Sequence, residues 1–440
     1  MTNVNFSLNA AFDRQLFWQE GNSVRYLVAR LRAHQEDDPK KGERAPLNIA
    51  LVIDASGSMS GGRLEAAKAA ALGLAERLTE RDRLTLVSFA SDVQVHIDAA
   101  PVTVQNLHLI RNEIFRLQTR GSTCLSGGWF AGVASAARIA EEDVRMTPRV
   151  ILLSDGHANE GIRDRNELWE HATQLRARGV LTSALGIGDG YDEQLLRGIA
   201  ENGGGRLHDA ELTSEISSVL LGELDDIFGT IVEEVQVTLA VPQGVRVDVL
   251  GKEPNLGLDG SFVVPIGPIQ NATERTVVFK VTCPSAQVND LLTFSLSATG
   301  RAVSDATLVE AKSGPITLVA ADGRANTAQA RNIPLSAIVA RTWSAQIIST
   351  AAKMNRDHAY EAAQEYAQRE LRHFRRYVED LEKGAQMIAE LEMLAGRVGR
   401  AFSPRMSKEL TLQSALAMEE RVDRRGPGKA SWSARMTRGD

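Results

Sequence analysis

The sequence predicts an α/β protein in which a doubly wound, mostly parallel sheet is joined to a β-sandwich and a C-terminal helical region. Between residues 47 and 230, apolar runs of strand length alternate with helix-like apolar stripes. Between residues 231 and 325, short strand-like runs are separated by Gly, Pro, Asn and Asp, which is typical of a β-sandwich. From residue 326 to residue 420 the apolar residues recur at helical spacing.

The first buried strand is predicted at 48–53, because NIALVI is a continuous apolar run, as in a strand covered on both faces. Residues 62–78 follow, with Leu64, Ala67 and Ala71 on one helical face. The alternation then continues with strands at 84–89, 93–97, 149–153, 180–187 and 206–209, and with helices at 106–118, 125–141, 165–178, 192–202 and 213–229. Strands alternating with helices predict a mostly parallel sheet covered on both faces.

The ends of the chain differ from this central part. Residues 1–46 contain two strand-like stretches, 4–12 and 23–33, before a charged connection at 34–44. Two strands cannot bury a core alone, so we expect them to join the 231–325 region, with the α/β domain inserted between them. Residues 421–440 are basic and rich in Gly, which predicts a loose tail.

Composition narrows the class of protein. The chain has 440 residues, 43% hydrophobic and 24% charged, as in a soluble globular protein of two or three domains. A net charge of −6 gives no electrostatic reason to expect nucleic acid as the main partner. Two cysteines, Cys124 and Cys283, predict no disulfide framework and favour a reducing compartment. We see no signal-peptide pattern and no membrane-spanning run, so a cytoplasmic location is expected.

Three separated loops carry oxygen ligands. Asp54, Ser56 and Ser58 follow the first buried strand, Thr123 lies in a Gly-Ser-Thr-Cys loop, and Asp155 follows the strand RVILL. Open α/β sheets bind ligands at the carboxyl ends of their strands, so these loops are expected to converge on one edge. Oxygen-only ligands suit Mg²⁺, Mn²⁺ or Ca²⁺ rather than Zn²⁺. The sequence therefore predicts a divalent-metal site that accepts one more anionic oxygen.

These motifs, in this order, resemble the metal-ion-dependent adhesion site of von Willebrand factor A domains, and the resemblance covers residues 47–230. It implies a Rossmann-like fold, with Ser56, Ser58 and Thr123 as hydroxyl ligands. It also implies that Asp54 and Asp155 hold the metal directly or through water. Ser154 stands where the family often has Thr, and we expect it to touch no ligand.

The layout of an α/β domain followed by a β-domain is similar to bacterial proteins of the inter-alpha-trypsin-inhibitor or calcium-activated-chloride-channel-like group. Some bacterial members of the wider family work beside AAA+ ATPases or beside kinase and phosphatase partners. The resemblance implies a non-enzymatic module in which Mg²⁺ bridges to an acidic residue of a protein partner, in a cytoplasmic regulatory or assembly role.

Alternatives to this hypothesis remain open. Asp54, Ser56 and Ser58 also fit an ordinary strand-to-helix turn with hydroxyl N-caps. A purely structural domain that has lost its metal is a further alternative. A Mg²⁺-dependent phosphatase of the haloacid-dehalogenase kind also places Asp after its first strand, but it needs a second Asp where this chain has Ser56. No phosphate-binding loop and no nucleophile–histidine pair at a recognisable motif is found. His157 is interpreted as a solvated loop residue and Cys124 as a buried, inert one.

Overall fold

The computed structural model describes residues 4–35, 44–143, 146–252, 254–257, 260–421, 423–424 and 431–438. The chain divides into two compact units. The composite unit contains Met1–Asp37, Thr230–Asp423 and Ala430–Asp440, and the α/β unit contains Asp38–Gly229 and Arg424–Lys429. Most of the charged connection expected at 34–44 lies outside the described residues.

The composite unit begins with strands β1 (Val4–Phe12), β2 (Leu16–Trp18) and β3 (Val24–Gln35). The strands β1 and β3 pair antiparallel, with Ala10 opposite Ala29. The chain turns back between β2 and β3 at Gly21 and Asn22, which both adopt positive φ angles, and Gly and Asn tolerate this backbone region best.

The α/β unit contains a six-stranded sheet, confirming the predicted α/β fold. Its strands are β4 (Leu47–Asp54), β5 (Arg83–Phe89), β6 (Val93–Pro101), β7 (Thr147–Ser154), β8 (Leu181–Ile187) and β9 (Gly204–Ala210). Their order is β6-β5-β4-β7-β8-β9, and the pairs are parallel except for β5 with β6. The sheet is therefore mostly parallel, with the strand β4 near its centre.

Helices cover both faces of this sheet. They are α1 (Arg63–Arg77), α2 (Val104–Arg116), α3 (Leu125–Glu142), α4 (Arg165–Ala177), α5 (Glu193–Asn202) and α6 (Ile216–Gly229). Side chains of β4 alternate between the two cores: Leu51 packs in the core with α1, α2 and α6, and Val52 packs in the core with α3, α4 and α5. Every residue of β4 is buried, and burial on both faces explains the continuous apolar run from Ile49 to Ile53.

The chain then returns to the composite unit and forms a β-sandwich. Its strands are β10 (Thr230–Ala240), β11 (Arg246–Val249), β12 (Asn255–Leu256), β13 (Phe262–Gln270), β14 (Glu274–Thr282), β15 (Leu291–Ala302), β16 (Leu308–Lys312) and β17 (Ile316–Ala321). One sheet has the order β1-β3-β14-β11, and the other has the order β12-β13-β10-β15-β17-β2 with β16 beside β15. Both sheets contribute to one core, where Phe12 and Phe294 meet edge to face at 5.1 Å between ring centroids. The strands before residue 36 are thus integral to the sandwich.

Six helices are described after the sandwich. They are α7 (Gly323–Ala328), α8 (Ile333–Arg356), α9 (Tyr360–Val378), α10 (Gly384–Arg397), α11 (Pro404–Met418) and α12 (Trp432–Arg438). Those from α8 onward form a core with the outer face of the four-stranded sheet. Tyr26 and Val28 of β3 pack in one core with Val339 of α8 and Phe374 of α9. Among the described helices none is long and apolar enough to cross a membrane.

The interpretation of residues 421–440 as a loose tail is wrong for residues 432–438, which form α12. Trp432 and Met436 of this helix are buried in the core with α8 and α9. Two apolar residues four positions apart are enough to dock one helical turn, but the basic, Gly-rich composition around them hides this signal. Residues 425–430 and 439–440 lie outside the described part.

Candidate metal centre

The loops that carry the predicted ligands meet at one edge of the six-stranded sheet. The strands β4 and β7 are parallel neighbours, so Asp54 at the end of β4 and Asp155 just after β7 emerge side by side. The loop before α3 is tied to the loop after β4 by two backbone hydrogen bonds. The amide of Arg120 donates to the Ala55 carbonyl at 2.7 Å, and the amide of Gly57 donates to the Gly121 carbonyl at 3.2 Å.

Hydrogen bonds link four of the five predicted side chains into a chain of oxygens. The hydroxyls of Ser56 and Ser58 lie 3.0 Å apart, and the Ser58 hydroxyl donates to Oδ1 of Asp155 at 2.6 Å. The amide of Ser56 donates to Oδ1 of Asp54 at 2.8 Å. The structure thus brings Asp54, Ser56, Ser58 and Asp155 together.

Thr123 is the fifth predicted residue, and Gly156 relates it to the other four. A Cβ placed on Gly156 would lie 3.7 Å from the Ser58 hydroxyl oxygen and 3.8 Å from the Thr123 hydroxyl oxygen. The Thr123 carbonyl accepts hydrogen bonds from the amides of Asn159 and Glu160, at 2.9 and 3.0 Å. The Thr123 hydroxyl therefore lies at the same sheet edge, beside the loop of Asp155.

Gly121 allows the Thr123 loop to lie against its neighbour. Its φ of +48° is unfavourable for a residue with a side chain, and an added Cβ would lie 2.5 Å from the hydroxyl oxygen of Ser91. That same hydroxyl accepts a hydrogen bond from the amide of Ser122 at 2.8 Å. A larger residue at position 121 would push the loop away from the sheet edge.

The carboxylates are buried, which makes their charge costly. Asp54 is fully buried, and burial is the main reason that its pKa is raised, with the nearby charge of Asp155 raising it further. Hydrogen bonds from Ser154 and Ser56 lower the pKa of Asp54 in opposition. Two carboxylates in a buried setting favour a cation nearby, since a cation offsets the charge that burial penalises.

Ser154 contradicts our expectation that it touches no candidate ligand. Its hydroxyl donates to Oδ2 of Asp54 at 2.6 Å, and Ser154 is itself fully buried. A Thr hydroxyl at this position could make the same bond, which is why the substitution leaves the pattern intact. Ser154 therefore fixes the orientation of the Asp54 carboxylate.

Arg63 is a residue of this site that the sequence analysis missed. Its Nη1 donates to Oδ2 of Asp155 at 2.6 Å and to the Ser58 carbonyl at 3.2 Å. The arginine side chain is 37% exposed, whereas that of Asp155 is fully buried. Arg63 is the first residue of α1, directly after the Ser58 loop, and this position was the only available signal in the sequence.

A nucleophile–histidine pair that the sequence analysis did not find is also present. The Ser88 hydroxyl lies 2.7 Å from Nε2 of His96, and Nδ1 of His96 lies 3.7 Å from Glu113. Burial lowers the pKa of His96, while Glu113 opposes this shift. However, Ser88 is fully buried and its hydroxyl accepts a hydrogen bond from Arg120 at 3.0 Å. The pair therefore holds the Arg120 loop rather than facing a substrate.

The donor set fits a hard cation. It consists of two carboxylates and three hydroxyls, which are the oxygen ligands of Mg²⁺, Mn²⁺ and Ca²⁺. In the described part of the chain, no three His, Cys, Asp or Glu side chains gather to hold a metal, so a metal here must use hydroxyl ligands. His157 is exposed and lies 3.7 Å from Asp192.

Neither cysteine supplies a thiolate to the site in this structure. Cys124 is half-buried rather than buried, in contrast to our expectation. Cys283 belongs to the other unit, where burial raises the pKa of its thiol to about 11. A thiol with so high a pKa is a poor metal ligand at neutral pH.

Comparison with known proteins assigns the central part of the chain to a family. Residues 48–220 match the model of the von Willebrand factor type A domain. An uncharacterised protein of Synechocystis sp. is 35% identical over 193 residues, which are 44% of this chain and 44% of that protein. The human inter-alpha-trypsin inhibitor heavy chain H3 is 28% identical over 228 residues, which are 50% of this chain and 25% of that protein. The chain thus matches less than half the length of these curated relatives.

Solved structures share the fold over nearly the whole chain. A von Willebrand factor type A protein from Catenulispora acidiphila superposes with a TM-score of 0.68 at 17% identity, covering 94% of this chain and 97% of that one. The ArnB paralog VWA2 from Sulfolobus acidocaldarius gives a TM-score of 0.56 at 13% identity, covering 95% and 99%. At such low identity these likenesses establish a common fold alone.

Proposed function

Because residues 48–220 form a von Willebrand factor type A domain, we propose that this protein is a non-enzymatic binding module that captures an acidic residue of a protein partner through a divalent metal. Asp54, Ser56, Ser58, Thr123 and Asp155 would hold the metal, with Mg²⁺ as the first candidate and Mn²⁺ or Ca²⁺ as alternatives. The observation that carries the proposal is the convergence of three loops on two buried carboxylates and three hydroxyls.

Neutral hydroxyls make up most of this ligand set, and this favours capture of an acidic group. Two carboxylates offset the charge of a divalent ion, but Arg63 already neutralises part of the charge on Asp155. When bound, the metal supplies a coordination position that attracts a further anionic oxygen. Ser58 lies at the surface, so the oxygen cluster is accessible from solvent on that side.

The contacts of Asp54 support recognition rather than catalysis. Both of its oxygens accept hydrogen bonds, from the Ser56 amide and from the Ser154 hydroxyl. A phosphatase of the haloacid-dehalogenase kind needs a second carboxylic acid at the position of Ser56, and a hydroxyl cannot replace it in proton transfer.

We propose a cytoplasmic regulatory or assembly role for the module. An AAA+ ATPase or a kinase–phosphatase system is the kind of partner to look for, in the form of an exposed Asp or Glu on its surface.

The test is partner capture by the full chain, with Mg²⁺ or with EDTA. Thr123→Val keeps the approximate shape of the side chain but removes the hydroxyl, so capture should fall at least roughly tenfold, as expected for the loss of about 1.4 kcal/mol. EDTA should cause the same loss, and the two treatments together should not exceed either alone, because both remove one interaction.

Thr119→Val is the matched control, since Thr119 is exposed in the same loop and, within the described residues, its side chain makes no hydrogen bond to the ligand set. This variant should capture the partner as the wild type does. Capture that survives both EDTA and Thr123→Val at full strength would refute the proposal and move the partner surface elsewhere.

A further inference from the structure

A cleft of about 450 Å³ lies within the composite unit, between the outer face of the four-stranded sheet and the helices α8 and α9. Its volume lies within the range of sites that bind small organic molecules. None of the five candidate metal ligands lines it, so what it binds is a separate question from the proposed function.

Three aromatic side chains form one wall of the cleft. The ring centroids of Tyr26 and Tyr377 lie 5.0 Å apart, and Trp343 lies 5.8 Å from each of them. Tyr26 comes from β3, Trp343 from α8 and Tyr377 from α9, so sheet and helices fix this wall together. Rigid rings from three packed elements provide a preformed surface for a flat apolar group.

The two carboxylates that line the cleft are engaged by the aromatic residues. Asp13 accepts a hydrogen bond from the Tyr26 amide at 2.9 Å and another from the Tyr377 hydroxyl at 3.1 Å. Glu370 accepts one from the indole Nε1 of Trp343 at 3.1 Å. These acids therefore hold the aromatic wall in place.

Basic side chains approach the cleft from both sides. On α9, Arg369, His373 and Arg376 follow one another at helical spacing and share one face. From the sheet side come Lys280, which is paired in register with Tyr26, and Arg14.

Most of these basic side chains lack a protein partner. Within the described ranges, no side-chain hydrogen bond or ion pair is found for Lys280, His373 or Arg376, and Nε of Arg14 is buried without a hydrogen-bond partner. Arg369 lies 3.6 Å from Glu370. Four permanent cations, Arg14, Lys280, Arg369 and Arg376, against the two carboxylates of Asp13 and Glu370 give the lining of the cleft a net positive charge.

We propose that this cleft binds a small organic anion with a flat aromatic body, such as an aryl phosphate or an aryl carboxylate. The ring lies against Tyr26, Trp343 and Tyr377, and the anionic group pairs with Lys280 and Arg376. Arginine suits this role because its planar guanidinium donates two parallel hydrogen bonds to a phosphate or carboxylate.

The experiment titrates 1-naphthyl phosphate into the full chain by calorimetry, beside inorganic phosphate. Wild type should bind 1-naphthyl phosphate saturably, with a Kd on the order of 10⁻⁴ M, as expected for a ligand of this size. Inorganic phosphate should bind at least about tenfold more weakly, since it lacks the ring. The double variant Lys280→Ala/Arg376→Ala should weaken 1-naphthyl phosphate binding by roughly tenfold or more.

Arg372→Ala is the matched control, because Arg372 is an exposed arginine of the same helix that does not line the cleft. It should bind 1-naphthyl phosphate as the wild type does. Arg376→Glu is a second test that keeps a long polar side chain and reverses its charge, and it should abolish binding. Circular dichroism verifies the fold of each variant.

Three results would overturn the proposal. The first is the absence of saturable binding to the wild type, and the second is equal affinity in the double variant and in Arg372→Ala. The third is a phosphotyrosine peptide that binds at this cleft more tightly than 1-naphthyl phosphate, which would reassign the cleft to a protein partner.

Discussion

Asp54 has a fully buried carboxylate at the carboxyl end of β4, with hydrogen bonds to both oxygens. Burial raises its pKa, so the charged form is disfavoured unless a cation is near. The hydroxyl of Ser154 and the amide of Ser56 hold the carboxylate in one orientation. These contacts support the proposal that Asp54 helps to hold an ion rather than transferring a proton.

Arg63 is a positive group that contacts the candidate ligands Ser58 and Asp155 directly. Its guanidinium neutralises part of the charge on Asp155, and it would repel a divalent ion at the same oxygens. Arg63 therefore has two opposing effects on Mg²⁺ affinity: its charge repels the ion, and its hydrogen bond holds Asp155 in place.

We expect repulsion to dominate, so Arg63→Ala should tighten Mg²⁺ binding by roughly three- to tenfold, a Coulomb effect of about 1 kcal/mol between partly exposed charges. Arg63→Lys keeps the charge and should bind Mg²⁺ like the wild type. Calorimetric titration of the two variants makes the comparison. Weaker binding by Arg63→Ala would instead assign Arg63 the role of positioning Asp155.

The candidate metal ligands could be predicted from the sequence, because short loops directly after strands restrict where their hydroxyl and carboxylate groups can lie. Asp54, Ser56 and Ser58 lie within five residues, and the parallel pairing of β4 and β7 brings Asp155 beside them. The contacts of Arg63 and Ser154 could not be predicted in this way. They depend on where a long side chain reaches and on which rotamer a buried serine adopts.

At the scale of elements, β3 organises the composite unit. It pairs with β1 on one side and with β14 on the other, and its side chains alternate between two cores. Leu27, Ala29 and Leu31 face the sandwich, whereas Tyr26 and Val28 face the helices. This double burial explains the apolar run from Tyr26 to Ala29 in the middle of β3.

Ala29→Pro tests this role, since proline removes a ladder hydrogen bond from a strand that is paired on both sides. We expect at least about 3 kcal/mol of lost stability in the composite unit. Hydrogen exchange should show faster exchange in β3 and β14, while β4 and β7 of the α/β unit keep their protection. Equal loss of protection in both units would contradict an organising role confined to the composite unit.

The alternation of strands and helices in the α/β unit was predictable from local patterns of apolar residues. They recur at helical spacing in the helices and form short continuous runs in the buried strands. The strand β2 could not be predicted, because three residues are too few to show an alternation of apolar and polar side chains. Its partner β17 is also about 300 residues away in the sequence. The helix α12 was missed for a similar reason. Its position depends on the core that receives Trp432, which no local pattern reveals.

At the scale of the whole molecule, the chain forms the composite unit from its N-terminal strands and its C-terminal half, and the α/β unit lies between them in sequence. Each unit has a candidate ligand site of its own: an oxygen cluster for a divalent metal in one, and a cationic aromatic cleft in the other. A ligand that binds only the folded state stabilises it, by about 2.7 kcal/mol at a concentration of 100 times Kd. Mg²⁺ and aryl phosphate should therefore act on different unfolding transitions.

The central claim is that the oxygen cluster binds a divalent metal, and calorimetric titration of Mg²⁺ into the full chain tests it most directly. We predict saturable one-to-one binding by the wild type, and a loss of affinity of more than roughly tenfold in Asp54→Ala, because a buried charge is removed from the site. Ser60→Ala, which removes an exposed hydroxyl from the same loop, should leave the affinity unchanged. No Mg²⁺ binding by the wild type, or equal affinity in a folded Asp54→Ala variant, would contradict the account.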